Sequence, residues 1–147
     1  MMPEINYLAL AVAALIPMIV GALYYGPIFG KQWMSSLGIT EDDLKKGNMA
    51  IIYGLALLMA FILAFHIKMS IELTHKELGD AGQMVFGSFH SFKHGALHGA
   101  MLSIMGIVPV IVSLGLFQRS TGKNIILNVV YWTITAALMG GLLDAWI

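Results

Sequence analysis

Apolar residues run almost unbroken through four stretches of this 147-residue chain, at about residues 5–25, 49–73, 94–117 and 124–146, and polar residues gather between them. A hydrocarbon core roughly 30 Å thick is crossed by about 20 apolar residues in α-helical form. Each stretch meets that length, so the pattern predicts four membrane-spanning helices. None shows the period-two alternation of a barrel strand, and in lipid only helices and closed barrels satisfy their own backbone groups. The expected fold is therefore all-α, a polytopic transmembrane bundle of four helices in a single domain over residues 1–147.

The connections carry their own signals. In the first, Phe29, Trp33, Met34 and Leu37 recur at roughly helical spacing, which predicts a short helix lying in the interface with Lys31 on its wet side. Thr40 followed by Glu41, Asp42 and Asp43 has the form of a helix N-cap with an acidic first turn, predicting a second short helix. Three adjacent acids also resemble a hard-cation site, but a calcium loop needs more oxygen ligands at alternating positions. After Phe65 the second helix turns polar, with His66, Lys68, Glu72, His75, Lys76 and Glu77, and reads as an exposed extension in which Glu72 and Lys76 pair at i, i+4. Gly79 to Gly82 breaks it, and residues 83–89 read either as a surface helix or as the lead-in to the third span. The short third connection makes the last two spans an antiparallel hairpin.

Small residues recur one turn apart on several faces. Ala9, Ala13, Pro17 and Gly21 form one stripe, Gly95, Gly99 and Ser103 a second, and Ala136 with Gly140 and Ala137 with Gly141 two further pairs. Such stripes let helix backbones approach closely, within one chain or between chains. Pro17 and Pro109 are expected to bend their helices. Asn124, Asn128, Tyr131 and Thr135 share one face of the fourth helix, and because a polar side chain in lipid needs a partner, this face is expected to turn inward.

Composition agrees with the pattern: 59% of residues are hydrophobic and 11% charged, with a mean hydropathy of +0.83. A soluble domain carries about 25% charged residues. Zero net charge leaves no basic excess for nucleic acid, and the absence of cysteine excludes disulfides and thiolate chemistry. The N-terminal apolar run has no basic residue before it and no small-residue cleavage pattern after it, which reads as a retained span. Five basic residues lie in the first and third connections against three in the second, a bias that places both termini outside the cytoplasm. Membrane lipids, further copies of this chain and another membrane protein are the expected partners.

The chemistry concentrates in histidine. His90, His94 and His98 recur every four residues, so His94 and His98 can offer two imidazoles to one ion. His66, near the end of the second span, is expected at similar depth. A set of His66, His90, His94 and His98 suits zinc, copper or iron, and two histidines from facing helices suit haem. The alternative is a row of interfacial histidines with hydrated tips. No carboxylate stands beside the stripe in sequence, and there is no His-Glu-x-x-His, which argues against a hydrolase.

The stretch GALYYGPIFGKQWM with the following Gly-Ile-Thr-Glu-Asp-Asp and KKGN, together with the closing NVVYWTITAALMGGLLDAW, resembles the domain of unknown function 1761 family of small bacterial integral membrane proteins. The resemblance spans essentially the whole chain, with Tyr24 where members often have Trp, and implies four spans in a bacterial inner membrane and no established activity. The expected function is a non-enzymatic binding or scaffolding role in a homo-oligomer, with a metal at the histidines. The alternative is a small-solute or ion transporter or pore at an oligomer interface.

Overall fold

The structure, a computed structural model, describes residues 5–87 and 89–146. The described helices are α1 (Tyr7–Leu23), α2 (Gly30–Leu37), α3 (Glu41–Leu44), α4 (Met49–Thr74), α5 (Phe92–Leu102), α6 (Val108–Phe117) and α7 (Gly122–Ala145). Four helical stretches are long and apolar enough to cross a membrane: Tyr7–Ile28, Met49–Thr74, Phe92–Phe117 and Gly122–Ala145. The chain is thus a multi-pass helical bundle, as the hydropathy pattern requires.

Local chemistry sets the boundaries. Asn6, Asn48, Ser91 and Thr121 each accept, through a side-chain oxygen, a backbone N–H of the first turn they precede. That is why the third and fourth spans begin two residues earlier than their apolar runs: the polar first turns are held by caps. Thr40 and Asp43 complete a reciprocal capping box at α3, and hydrogen bonds from Lys46 and Thr40 hold the Asp43 carboxyl down at about 2. With Asp42 on Lys45 and Asp43 on Lys46, this acidic turn is a capped helix start.

Both proline-bearing regions widen into π-helical turns. Tyr24–Ile28 contains Pro27, and its Gly26 leaves helical geometry at φ −100 and ψ −107, which swings the chain into α2. Ser103–Ile107 runs straight into Pro109 within the continuous Phe92–Phe117 stretch, and its wider turn makes room for the ring and the missing N–H. Pro17, in contrast, sits within the unbroken α1.

The core is built from Leu10 and Ala13 of α1, Ala64, Ile67 and Ile71 of α4, and Ala136, Met139 and Leu143 of α7. Helix α7 is the hub. It packs on α1, α4, α5 and α6, and its contact with α5 is the most extensive in the molecule. Gly95 lies against the Gly140 carbonyl and Gly99 against the Ala136 carbonyl, so tightly that a Cβ at either glycine would overlap backbone. Ser103, fully buried, continues the seam to Thr133 at 3.4 Å, and Gly141 leaves room for the Phe92 ring. The small-residue stripe of α5 is therefore consumed within the chain.

Two sequence expectations need correction. Lys68 and Glu72 do not lie on an exposed extension: both are buried and pair at 2.6 Å, because α4 continues unbroken to Thr74 alongside its neighbours. The Glu72–Lys76 pairing was expected on that extension, but Lys76 has left the helix and starts a strand. Residues 84–86 likewise form a strand, β2 (Met84–Phe86), antiparallel to β1 (Lys76–Leu78), with Glu77 opposite Val85. Gly82, at φ +78, supplies the left-handed residue of their turn.

Because the atoms facing Gly99 are backbone and cannot move aside, Gly99→Val is expected to cost about 3 kcal/mol or more. Gly54, with nothing near its Cβ position, is the control, and Gly54→Val should stay within about 1 kcal/mol. Denaturant unfolding in detergent, followed by circular dichroism, measures both; equal losses would contradict the α5–α7 seam.

Candidate metal centre

One end of the bundle collects the histidines. Helix α4 stops at Thr74, and His75 takes a non-helical conformation at φ −109 and ψ 42. The β1–β2 hairpin then brings the chain back, and the Gly87 N–H donates to the His75 carbonyl at 2.7 Å, closing the excursion where it began. Ser91 caps α5 by accepting from the His94 N–H at 3.2 Å, which starts the helix so that His94 and His98 follow on one face.

Three imidazoles converge there. The Nε2 atom of His75 lies 2.8 Å from that of His98 and 3.0 Å from that of His94. One donor atom from each of the three lies within 4.8 Å of the others. Behind them sits Asp144 of α7, wholly buried. Its Oδ2 meets His94 Nδ1 at 2.6 Å and the Ser91 N–H at 3.2 Å, and its Oδ1 meets His90 Nδ1 at 3.0 Å.

The proton positions follow from these partners. A carboxylate can only accept, so the proton of His94 sits on Nδ1 and its Nε2 presents a lone pair toward His75 and His98. The His75 Nε2 carries either one proton or one lone pair in its ring plane and cannot make well-aligned hydrogen bonds to two imidazoles at once. Three imidazoles with donor nitrogens gathered within 4.8 Å are instead a group that could hold a transition-metal ion. A carboxylate on the far nitrogen of a ligating histidine is the usual means of fixing its tautomer and orientation. In tetrahedral zinc sites, metal–nitrogen bonds of about 2.0–2.1 Å put ligand nitrogens about 3.3 Å apart, so small rotations of these rings complete the geometry.

The residues singled out in the sequence fall into separate groups. His94 and His98 are in the cluster, and His90 is held on Asp144 beside it. His66 is exposed and is not among the clustered histidines: it sits within α4, whereas His75 follows the last residue of that helix. His75 takes the place expected of it. The carboxylate absent near the stripe in sequence arrives from α7 as Asp144. Its signal was the seam itself: Gly99 meets Ala136 and Gly95 meets Gly140, and one further step of four residues on each helix brings Ser91 to Asp144.

The α7 polar face does turn inward, at the other end of the bundle. Tyr131 donates to the Pro17 carbonyl at 2.7 Å, Tyr25 to Asn128 Oδ1 at 2.8 Å, and Asn124 Nδ2 to Ser36 at 3.2 Å. Among the described residues Thr135 Oγ1, fully buried, has no hydrogen-bond partner. Beside this network a largely apolar cavity of about 560 Å³ opens between α1 and α4, lined in part by Gly21, Tyr25, Trp33, Tyr53 and Tyr131. Two of its lining hydroxyls, those of Tyr25 and Tyr131, are taken up by Asn128 and the Pro17 carbonyl.

Four apolar helices joined by thin loops, with a cluster of imidazoles and one buried carboxylate at a helix end, define a multi-pass α-helical membrane protein. The chain belongs to the family described as protein of unknown function (DUF1761), matched over residues 8–143, a stretch that holds all three clustered histidines. No curated protein and no solved structure matches it.

Asp144 receives three donors, His90 Nδ1, His94 Nδ1 and the Ser91 N–H. Asp144→Asn, which supplies one acceptor oxygen and a competing NH₂, is expected to cost about 1–3 kcal/mol. Unfolding in the presence of a chelator isolates that cost from metal binding, and an unchanged stability would contradict the hydrogen-bond assignment.

Proposed function

We propose that this membrane protein binds one divalent transition-metal ion through His75, His94 and His98, at the outer face of the membrane. The observation that carries the reading is the convergence of three Nε2 atoms, two pairs of them 2.8 and 3.0 Å apart, with Asp144 orienting His94 from behind. Neutral imidazoles suit zinc, copper, iron or nickel. Haem fits poorly. Two axial nitrogens stand about 4 Å apart across an iron with bonds of about 2.0 Å, and these rings are closer than that and have no gap for a macrocycle.

The side of the membrane follows from charge. The second connection, which carries the hairpin and the site, holds three basic residues against five in the other two, the asymmetry of a segment outside the cytoplasm. Scaffolding within a homo-oligomer is compatible with this role, although the Gly95 and Gly99 face is already covered by α7 and leaves other surfaces for such contacts.

The test is titration of the untagged protein in detergent with Zn²⁺ or Co²⁺, expected to give one ion per chain. His75→Ala or His98→Ala should weaken binding by more than the roughly 10–100-fold that loss of an outer hydrogen-bond partner costs, while His66→Ala leaves it unchanged. Equal affinity in all variants would defeat the reading. Since the chain has no cysteine, Ala81→Cys in the hairpin turn should label in whole cells with an impermeant maleimide, and Lys45→Cys should not; the reverse pattern would move the site to the cytoplasmic face.

A further inference from the structure

The metal reading leaves a question of coordination number. Zinc and cobalt in imidazole sites take four ligands, and sites that use only three protein ligands keep the fourth for water or substrate. Among the described residues, no fourth histidine, aspartate or glutamate donor joins the group formed by His75, His94 and His98. Three nearby groups have partners of their own. Asp144 has Oδ2 on His94 Nδ1 at 2.6 Å and Oδ1 on His90 Nδ1 at 3.0 Å, which keeps it behind the His94 ring, on the side away from the ligating nitrogens. His90 is turned to that carboxylate through Nδ1. The His75 carbonyl is taken by the Gly87 N–H at 2.7 Å.

Access is also provided. The three histidines are half-buried rather than enclosed, at the end of the bundle where the β1–β2 hairpin leaves the helices. Phe89 packs edge-on against His94, with ring centroids 5.3 Å apart, and is itself 70% exposed, so it forms an apolar shoulder at the mouth of the cluster.

Resting on the metal-binding reading above, the geometry points to an open centre: the ion held by His75, His94 and His98 keeps one coordination position for an exchangeable small ligand, either water or a monodentate anion. The chain then supplies three neutral imidazoles and an outer carboxylate, and the fourth bond forms to a molecule from solution. This is the ligand count of sites that bind and turn over small molecules, in contrast to the closed four-ligand sets that serve only to hold a fold together. Glu77 of the hairpin has a carboxylate oxygen by Gly87, close to the His75 carbonyl, and it is the residue that would close the position if the hairpin moved inward.

Cobalt provides the readout, because its visible spectrum reports ligand identity and number. The full-length protein in detergent is loaded with Co²⁺ and titrated with azide and with thiocyanate. The expected result is a saturable shift of the visible bands at one anion per cobalt, reversed by removing the anion, and the same in Glu77→Gln. A stoichiometric cobalt spectrum that neither anion moves overturns the open position while leaving the metal site standing. If the wild type resists anions and Glu77→Gln responds, the fourth ligand is Glu77, which likewise overturns it. Failure to bind cobalt at one per chain removes the metal reading and this inference together.

Discussion

Helices α5 and α7 meet with glycine on both sides, backbone against backbone, and the rest of the molecule depends on that approach. In lipid there is little hydrophobic gain from bringing two apolar helices together, so close packing of small residues and hydrogen bonds between helices must supply the association. Gly95 and Gly99 on one helix and Ala136 and Gly140 on the other remove the side chains that would hold the axes apart. The seam also sets a register. Once these pairs are in place, the start of α5 lies beside the last turn of α7, and a carboxylate at position 144 falls directly under the histidines.

That register explains how a buried Asp144 is tolerated at the end of a membrane span. It accepts from two imidazoles and from the Ser91 backbone N–H at the start of α5, where the helix dipole also favours negative charge. The carboxylate in turn decides which nitrogen of His94 carries the proton, and so which one faces His75 and His98. The cluster thus draws on three elements: the residue that follows α4 ahead of the hairpin, the first two turns of α5, and the final turn of α7. An ion at their junction would tie α4 to the α5–α7 pair, where the packing between α4 and α5 is otherwise sparse.

The spans were legible in the sequence because hydropathy over 20 residues needs no tertiary information, and the short helix α2 and the capped α3 because spacing and capping are local. The inward turn of the α7 polar face followed from the cost of leaving Asn and Tyr unpaired in lipid. What failed depended on where helices end and how they align. His66 appeared to be the partner of the α5 histidines because the second span was expected to fade into a solvated extension, whereas the helix continues to Thr74, keeps His66 within it and delivers His75 at its end. Glu72 pairs with Lys68 in the interior and not with Lys76 on an exposed extension for the same reason. Asp144 was overlooked because its distance in sequence from the histidines hides its neighbourhood in space, although the two glycine stripes, aligned antiparallel, already implied it. The hairpin had no comparable signal beyond Gly79 and Gly82, since its three-residue strands are defined by their pairing.

In the proposed site three imidazoles surround one ion. X-ray absorption at the metal edge of the zinc-loaded protein tests it most directly. The expected shell is three imidazole nitrogens at about 2.0 Å with one further, non-imidazole ligand, falling to two imidazoles in His75→Ala. A shell without multiple imidazole scattering, or one unchanged when His75 is removed, would contradict it.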